Sequence, residues 1–556
     1  MAIVMKQISA LNKVQLKAPL DFKEIDRRTV MQGERFCYQV AINLEDMNID
    51  ARIWAESDLG DAVKLFVEKD VFVDSPATED ITGENYIITE PGFLPDVLIP
   101  LEERNNLVSF RFRKNGRIFV KVDIPSDIAP GEYKIKLHLG TLVAGDYFGD
   151  YREHETKEMT INVIAAVIPE QKLIFTRWFY VDCIADYHNV EPYSEAHWAL
   201  IDAYMAQAVN MGINMLLVPV HTPPLDTEIG ARRTCVQLVD IEKKGDVYEF
   251  NFDKFHRYIA MCKKNGIKYF EIAHLFSQWG SKCAPNIMVT ENGETYYKFG
   301  WHVAADDPEY IEFLKQYIKA IADALKREGV SENAYFHISD EPNLTNIDRY
   351  EIAYNIIKSL IGNSKTIDAL SHVEFYDKGF VQYPVTSVRE AHTFIDHQVK
   401  DLWTYYCCGP QTIFPNSFIA MPSARVRILG LLLYKYDIKG FLHWGFNFYN
   451  SMHSNYHINP YLTTSADGTF PSGDPFVVYP SKDGAYESIR CEVLFDAIQD
   501  MRVCDALAQL IGKEAVVKMI DDAAGRDLRF DDYPCDNEFL DGLREAMVKA
   551  IADNTK

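Results

Sequence analysis

Alternating apolar and polar positions dominate the first 165 or so residues of the chain. Apolar residues recur at every second position from Tyr38 to Leu44, from Ile118 to Ile124 and from Tyr133 to Leu139. A period of two is typical of strands with one buried and one solvated face. Several such strands separated by turns, with Met159 to Val163 as the last, predict an antiparallel β-sandwich domain over residues 1–168.

At about residue 170 the pattern changes to short apolar strands that alternate with amphipathic helices. The clearest helix follows Asp307, a favourable N-cap with Pro308 in the first turn, and it ends at Gly329. Strands are predicted near 173–182, 213–220, 267–276, 334–340, 365–371, 392–397, 401–407 and 439–446. Helices are predicted near 194–210, 253–264, 308–328, 344–361, 417–437 and 484–510.

Eight strands in this alternation predict parallel βαβ units that close into a (β/α)8 TIM-type barrel. We expect this catalytic barrel, with C-terminal helices, over residues 169–556, and a short connection between its sixth and seventh strands. An open doubly wound sheet is the alternative, but no G-x-G-x-x-G motif follows any strand. The chain is therefore expected to be multidomain, a sandwich followed by a barrel.

The composition limits the kinds of molecule that the protein is expected to bind. The 556 residues include 57 basic and 81 acidic side chains, a formal net charge of −24. Such a surface repels phosphate backbones and anionic lipids, so we expect neither nucleic-acid nor membrane-surface binding. The ten cysteines include no C-x-x-C pair, and they are expected to be reduced and mostly buried. We see no signal peptide and no integral membrane segment, and we expect a cytoplasmic protein.

The fourth predicted strand carries the strongest chemical signal, because it ends in Asp340 and Glu341 followed by Pro342. Neighbouring side chains of a strand point to opposite faces, so both acids reach one pocket only where the chain leaves the sheet. Pro342 is expected to hold Glu341 in an extended conformation. Alternatively, Asp340 caps the next helix and Glu341 is merely solvated.

The ends of the other strands are rich in aromatic and hydrogen-bonding groups, which suit a sugar with apolar faces and a rim of hydroxyls. We therefore predict a carbohydrate substrate. Trp301 and His302, in a long segment after the third strand, are predicted to line the rim of the pocket. The remaining candidates for substrate binding are Arg177, His274, Tyr376, Trp403, Tyr405, Trp444 and Asn447.

The residues alone leave three other functions open. A metal-dependent hydrolase would use His453 and His457, but these lie in a predicted loop and no second ligand cluster stands at suitable spacing, so no metal or other cofactor is expected. A non-catalytic sugar-binding protein would use the aromatic residues without turnover. A conventional two-carboxylate glycosidase would pair Asp340 or Glu341 with a distant acid such as Glu374.

Three motifs resemble glycoside hydrolase family 123, the β-N-acetylgalactosaminidases, and specifically a clostridial-type member that acts on glycosphingolipid sugars. They are Ser339-Asp340-Glu341-Pro342, Lys439-Gly440-Phe441-Leu442-His443-Trp444, and Tyr479-Pro480 followed by Ser488-Ile489-Arg490-Cys491-Glu492. The resemblance spans nearly the whole chain. It implies exo-acting removal of non-reducing terminal β-GalNAc.

The resemblance also implies a retaining, substrate-assisted mechanism, in which the 2-acetamido group of the sugar attacks C1 and forms an oxazolinium. Glu341 would protonate the glycosidic oxygen and then activate water, and Asp340 would accept the acetamide N–H. By analogy with other substrate-assisted hexosaminidases, Tyr405 would donate to the acetamido oxygen. Arg177 would bind ring hydroxyls, and Trp444 would form a wall beside the ring with Asn447 nearby.

Overall fold

The computed structural model describes residues 3–44, 49–111, 114–142, 151–362 and 364–555. The chain divides into two compact units. The first comprises Met1–Lys172, Gln411–Lys435 and Tyr486–Lys556, and the second comprises Leu173–Pro410 and Tyr436–Ala485. This division differs from the predicted domains because two later segments group with the N-terminal residues rather than with the barrel.

The N-terminal part of the first unit is a sandwich of two five-stranded sheets, with strand orders β1-β3-β8-β5-β6 and β2-β10-β9-β4-β7. Its strands are β1 (Val4–Ser9), β2 (Arg27–Gln32), β3 (Arg35–Asn43), β4 (Ile49–Ser57), β5 (Val63–Val73), β6 (Gly92–Pro100), β7 (Leu107–Phe110), β8 (Asn115–Asp123), β9 (Gly131–Leu142) and β10 (Tyr151–Val167). The predicted sandwich is confirmed. The pairing is antiparallel except between β2 and β10, which are parallel.

The alternation seen in the sequence explains the core of the sandwich. In β3 and β8, Tyr38 lies opposite Val120, and both side chains are fully buried. In β9, Ile135, Leu137 and Leu139 are likewise fully buried. Since successive side chains of a strand point to opposite faces, the apolar set of each strand lies on one face, where the two sheets bury it between them.

The second unit contains a closed barrel of eight parallel strands in the order β11-β12-β15-β18-β19-β20-β21-β22. A side sheet has the order β14-β13-β16-β17, and β23 pairs with β24. The strands are β11 (Ile174–Arg177), β12 (Met215–Val218), β13 (Asp240–Lys244), β14 (Val247–Asn251), β15 (Tyr269–Ile272), β16 (Ile287–Glu291), β17 (Glu294–Phe299), β18 (Ala334–Phe336), β19 (Lys365–Leu370), β20 (Tyr383–Ser387), β21 (Trp403–Tyr405), β22 (Gly440–His443), β23 (Tyr479–Pro480) and β24 (Ala485–Tyr486).

Eleven α-helices are found among the described residues. They are α1 (Val181–His188), α2 (Glu195–Asn210), α3 (Asp253–Asn265), α4 (Pro308–Arg327), α5 (Ile347–Ile361), α6 (Glu374–Asp377), α7 (Ala391–Asp396), α8 (Ser423–Lys435), α9 (Ile489–Ile511), α10 (Lys513–Ala524) and α11 (Asn537–Asn554). In α4 the side chain of Asp307 accepts hydrogen bonds from the backbone N–H groups of Glu309 and Tyr310, so the predicted N-cap is confirmed.

The predicted barrel is confirmed, but one of its strands is wrong. Residues 392–397 were expected to form the sixth strand, and they fall instead on the short helix α7. The sixth strand is β20, which contains Pro384 and Val385. A short apolar run with β-branched residues does not distinguish a strand from a buried helical turn, which accounts for the error.

The helices α8, α9 and α11 belong to the first unit, where buried ion pairs join them. Asp500 of α9 accepts from Nε of Arg427 at 2.9 Å and from Nε of Arg544 at 2.6 Å, and all three side chains are at most 3% exposed. Each buried charge is thus paired. Within the described residues, no helix is both long and apolar enough to cross a membrane.

Candidate active site

The candidate site lies at the carboxyl ends of the barrel strands, where barrel enzymes place their chemistry. Four residues beyond β18, Asp340 is half-buried and Glu341 is exposed, and both line one pocket. The backbone N–H of Trp279 donates to the carbonyl oxygen of Asp340 at 3.1 Å. This contact fixes the chain where it leaves the barrel.

The backbone at Glu341 differs from the predicted extended conformation, because its φ is +43°. A following proline disfavours right-handed helical backbone, but it does not by itself select an extended one. The left-handed turn breaks the pleat, and two adjacent carboxyl groups can then face the same pocket. Positive φ is strained for a residue with a Cβ, and such strain is concentrated at functional sites.

The pocket is open to solvent and has an empty volume of about 720 Å³. Six aromatic rings and three carboxyl groups contribute to its lining, together with two thiols and a side-chain amide. The lining residues are Trp178, Tyr180, Leu225, Asp226, Gln278, Trp279, Asp340, Glu341, Ala369, Tyr405, Cys407, Cys408, Leu442, Trp444 and Phe470. Aromatic walls with a few convergent polar groups are typical of a site that binds a small, partly apolar ligand such as a sugar.

Glu341 interacts electrostatically with two neighbouring side chains of the pocket, Tyr405 and Asp340. The hydroxyl of Tyr405 donates to Oε1 of Glu341 at 2.8 Å, and burial together with this carboxylate raises the pKa of Tyr405, so the phenol remains a donor. Burial also raises the pKa of Asp340 well above its ordinary value, and the neighbouring Glu341 charge adds to the effect. Asp340 therefore holds a proton more readily than an isolated carboxyl group does.

A fully buried charge network lies beneath the pocket. His337 contacts Oε1 of Glu271 through Nε2 at 2.7 Å and Oδ1 of Asp368 through Nδ1 at 3.1 Å. Burial alone would lower the pKa of His337, but the hydrogen bonds with the two carboxylates outweigh it and raise the pKa to about 9. An imidazolium therefore bridges two acids below the end of the fourth barrel strand, and it opposes the rise in the pKa of Asp340.

The same network orients one wall of the pocket. Nε1 of Trp178 donates to Oε1 of Glu271 at 2.9 Å, and Oγ1 of Thr176 donates to Oε2 of the same carboxylate at 2.6 Å. The ring of Trp178 lies edge-on to the ring of His337 at 6.1 Å. Glu271 thus fixes the indole that faces the pocket.

Of the predicted substrate-binding residues, Tyr405 and Trp444 line this pocket. Nε1 of Trp444 donates to Oδ2 of Asp474 at 3.0 Å, which fixes the plane of the indole. The ring of Trp444 also packs against Phe448 and Phe470, each at 5.1 Å between centroids. Trp444 is therefore placed to form the predicted wall.

Four further candidates are buried in the barrel and do not contribute to the pocket lining. Arg177 contacts Nδ1 of His443 at 2.9 Å and the carbonyl of Gly445 at 3.2 Å. Asn447 holds the backbone of Tyr180, with both hydrogen bonds at 3.0 Å or less. His274 stacks on His337 at 4.1 Å, and Trp403 packs on Tyr335 at 5.8 Å.

The last three candidates lie away from the lining. Trp301 lines a second, smaller cavity that also includes Arg233. His302 is exposed, and its Nε2 lies 3.2 Å from the carbonyl oxygen of Lys298. Tyr376 is half-buried on the short helix α6.

Sequence reasoning missed Asp226, Gln278 and Trp279, which lie on loops beyond the second and third strands. The backbone N–H of Asp226 donates to Oε1 of Gln278 at 2.6 Å, and Oδ2 of Asp226 accepts from the backbone N–H of His453 at 2.9 Å. Burial raises the pKa of Asp226. The third carboxyl group of the pocket is thus held by a contact with a residue distant in the chain, and no periodic pattern in the sequence predicts it.

Among the described residues, one group could place three metal-ligand atoms within 4.8 Å of one another, namely His274, His337 and Asp368. However, both ring nitrogens of His337 are already hydrogen-bonded to carboxylates. The two histidines that a metal-dependent hydrolase would use are not part of this group. His453 packs on Trp279, and Nδ1 of His457 lies 2.7 Å from Oδ1 of Asn450.

A (β/α)8 barrel that presents adjacent carboxyl groups among aromatic rings has the architecture of a glycoside hydrolase, an enzyme with a carbohydrate substrate. The family model for the glycoside hydrolase 123 catalytic domain matches residues 178–507, more than half of the chain. The chain therefore belongs to glycoside hydrolase family 123. A search among curated proteins found no match.

One solved structure with a TM-score above 0.5 agrees with this fold. The chain is similar to a family 123 glycoside hydrolase from Clostridium perfringens, whose structure is described in terms of glycolipid glycan hydrolysis, with 14% identity and a TM-score of 0.71 over 100% of this chain and 97% of that one. A Bacteroides uniformis β-glucuronidase has 10% identity and a TM-score of 0.31 over 86% of this chain and 48% of that one. A Thermobacillus composti GH10 xylanase has 9% identity and a TM-score of 0.32 over 59% of this chain and 97% of that one.

Proposed function

We propose that this glycoside hydrolase is an exo-acting β-N-acetylgalactosaminidase that removes terminal β-GalNAc, with glycosphingolipid oligosaccharides as the natural substrate class. The observation that carries the proposal is that Asp340 and Glu341 are adjacent and face one pocket. Their Cα atoms lie about 3.8 Å apart across one peptide bond. Two acids on one short turn are poorly placed to act on opposite faces of a sugar ring, whereas they can serve neighbouring groups of one sugar.

In the proposed first step, Glu341 transfers its proton to the glycosidic oxygen as the bond from C1 to that oxygen breaks. The acetamido carbonyl oxygen attacks C1 from the opposite face and forms an oxazolinium. Asp340 accepts the acetamide N–H and stabilises the positive charge that develops on the nitrogen. The aglycone leaves as an alcohol.

In the second step, water attacks C1 while Glu341 removes its proton, and the bond from C1 to the acetamido oxygen breaks. Two inversions at C1 give net retention. The product is β-GalNAc with its acetamido group intact, and Glu341 regains the proton that it lost in the first step.

The raised pKa of Asp340 fits this scheme when the two acids are treated as a pair that shares a proton. A hydrogen bond from the acetamide N–H favours the charged form of Asp340. Substrate binding would then move the shared proton to Glu341, where the first step needs it. A substrate without the acetamido group lacks both the nucleophile and this effect.

We also propose that Tyr405 has two successive partners. Its hydroxyl donates to Glu341 in this structure. Donation to the acetamido oxygen after the sugar binds would release the Glu341 carboxyl group to face the glycosidic oxygen. Since Tyr405 lines the pocket beside both acids, the exchange requires only a side-chain movement.

The proposal is tested with the nitrophenyl β-glycosides of GalNAc, GlcNAc and galactose, in the presence of a strong chelator. Release of nitrophenol confined to the β-GalNAc derivative is the expected result. Equal turnover of the galactoside would contradict acetamido participation and favour a conventional two-carboxylate glycosidase. Loss of turnover with chelator would favour the metal-dependent alternative.

A further inference from the structure

Two adjacent thiols lie on the wall of the sugar pocket, directly beyond the strand β21. Cys407 and Cys408 both line the pocket, and their Sγ atoms are 3.9 Å apart. The strand predicted near 401–407 ends at Tyr405, so both cysteines follow the strand. Both side chains are half-buried, so the pocket reaches them.

The surroundings of Cys407 disfavour chemistry that needs its thiolate. The hydrogen bond with Cys408 and then burial raise the pKa of Cys407 well above its ordinary value, and the charge of Glu341 acts in the same direction. Because the thiolate is the nucleophile in disulfide exchange and oxidation, Cys407 is slow to react by those routes.

Direct disulfide formation between the two residues is also disfavoured by geometry. Adjacent Cα atoms lie about 3.8 Å apart, whereas disulfides usually join Cα atoms separated by about 4.4 to 6.8 Å. A bond between Cys407 and Cys408 would therefore be strained and easily reduced. The pair is better suited to a ligand that bridges the two sulfur atoms.

The pocket also selects the charge of such a ligand. Asp226, Asp340 and Glu341 line it, so anionic reagents are repelled, whereas a neutral reagent enters freely. A ligand that reacts with protonated thiols, is uncharged and takes two soft sulfur donors at once meets all three conditions. Trivalent arsenicals have this chemistry.

We propose that Cys407 and Cys408 form a dithiol site for neutral trivalent arsenicals, and that the bridged adduct blocks sugar binding. With an arsenoxide R–As=O, two As–S bonds form and the As=O bond is lost. The two thiol protons leave with the oxygen as one water molecule, and no atom changes oxidation state. This site does not depend on which sugar the enzyme accepts.

The adduct would occupy space that the substrate needs, because Cys407 lies two residues after Tyr405, whose hydroxyl contacts Glu341. An arsenic atom bridging the two sulfurs projects its organic group into the same pocket as these two side chains. Inhibition is therefore expected to be competitive at early times, before the adduct is complete. Free sugar product is expected to slow the reaction.

The test uses the full chain and phenylarsine oxide, with the intact mass as the readout. One phenylarsenic unit per chain, with the loss of one water, is expected in the wild type. Cys407→Ser and Cys408→Ser should each abolish the stable adduct, whereas Cys235→Ser and Cys283→Ser, which change other half-buried thiols, should keep it. Reversal by dimercaptopropanol, but not by an equal concentration of mercaptoethanol thiol groups, is expected for a bridged site.

A second measurement on the wild type covers the case in which a serine variant fails to fold. Proteolysis of the labelled protein should assign the arsenic to the peptide that contains both thiols. Label on any other peptide, or an adduct that persists in Cys407→Ser, would overturn the site. A complete adduct that leaves glycoside hydrolysis unchanged would overturn the proposed block of sugar binding.

Discussion

The hydroxyl of Tyr405 donates to Oε1 of Glu341 at 2.8 Å, and this contact joins the fourth and seventh strand ends of the barrel. Tyr405 is buried, whereas Glu341 is exposed on a left-handed turn. A rigid donor thus holds a carboxyl group whose backbone is strained. We infer that this hydrogen bond keeps the carboxyl group of Glu341 inside the pocket.

Replacement of Tyr405 by Phe removes this hydrogen bond without removing the ring. Hydrogen bonds to charged groups contribute about 1.5 to 3 kcal/mol, so kcat/KM should fall by about 10- to 100-fold. Steady-state kinetics on the preferred nitrophenyl glycoside provides the measurement. Tyr406→Phe makes the same chemical change at a buried tyrosine that does not contribute to the pocket lining, and it should stay close to wild type. Equal losses in both variants would contradict a specific role for Tyr405.

Glu341→Gln should have an effect that depends on the leaving group. Nitrophenol is a good leaving group that needs little protonation, whereas a sugar or alkyl alcohol needs a general acid. We expect a loss of about 100-fold or more in kcat with an alkyl glycoside and a clearly smaller loss with the nitrophenyl glycoside. Similar losses with both substrates would assign the acid role to another residue.

Asp226 is expected to bind the sugar rather than to act in the bond-breaking steps. Its carboxyl group lines the pocket and is anchored by the backbone N–H of His453. Asp226→Asn should raise KM by about 10-fold, since one hydrogen bond to a charged group is lost, and should leave kcat within a few-fold of wild type. The exposed Asp246 offers a control substitution to Asn. A fall in kcat as large as that of Glu341→Gln would instead indicate a conventional pair of distant carboxylates.

The bridge formed by His337 predicts how stability depends on pH. The pKa of this histidine is about 9 in the folded chain and about 6.5 in an unfolded one. Its contribution to stability is therefore fully present below pH 6.5 and is lost as the pH rises through 9. Thermal unfolding of the wild type should show a falling Tm over this interval.

Removal of the bridging imidazolium leaves Glu271 and Asp368 buried without their cation. His337→Gln should lower the free energy of unfolding by about 3 to 5 kcal/mol at pH 6 and should reduce the fall in Tm between pH 6.5 and 9. His397→Gln removes an exposed pair with Asp377 and should change stability by no more than about 0.5 kcal/mol. An unchanged pH dependence in His337→Gln would contradict the bridge.

Strong local patterns made much of the fold predictable from the sequence. The alternation around Tyr38 and Val120 defines two faces of a strand, and the capping by Asp307 defines a helix start. The sixth barrel strand was not predictable in this way, because β20 is short and contains Pro384, whereas the apolar residues of α7 resemble a strand. In short segments, tertiary packing decides whether the chain forms a strand or a helix.

The site was predictable only in part. Adjacent acids at a strand end predict that Asp340 and Glu341 share a pocket, and both side chains line one pocket, while their catalytic role stays a prediction. The position of a residue at a strand end does not fix the direction of its side chain, and Arg177 and Asn447 hydrogen-bond to backbone groups and do not contribute to the pocket lining. Asp226 lies on a long loop whose path depends on contacts with residues distant in the chain.

The most direct test of substrate assistance is inhibition by a thiazoline derived from GalNAc, a neutral bicyclic mimic of the oxazolinium. An enzyme that stabilises this intermediate should bind the thiazoline at least about 100-fold more tightly than GalNAc itself. The ring nitrogen of the thiazoline carries an N–H only once it is protonated, and Asp340→Asn cannot stabilise that cation as an anionic acceptor, so most of the advantage should disappear. Binding of the thiazoline no tighter than that of GalNAc, or equal binding by wild type and Asp340→Asn, would contradict the account.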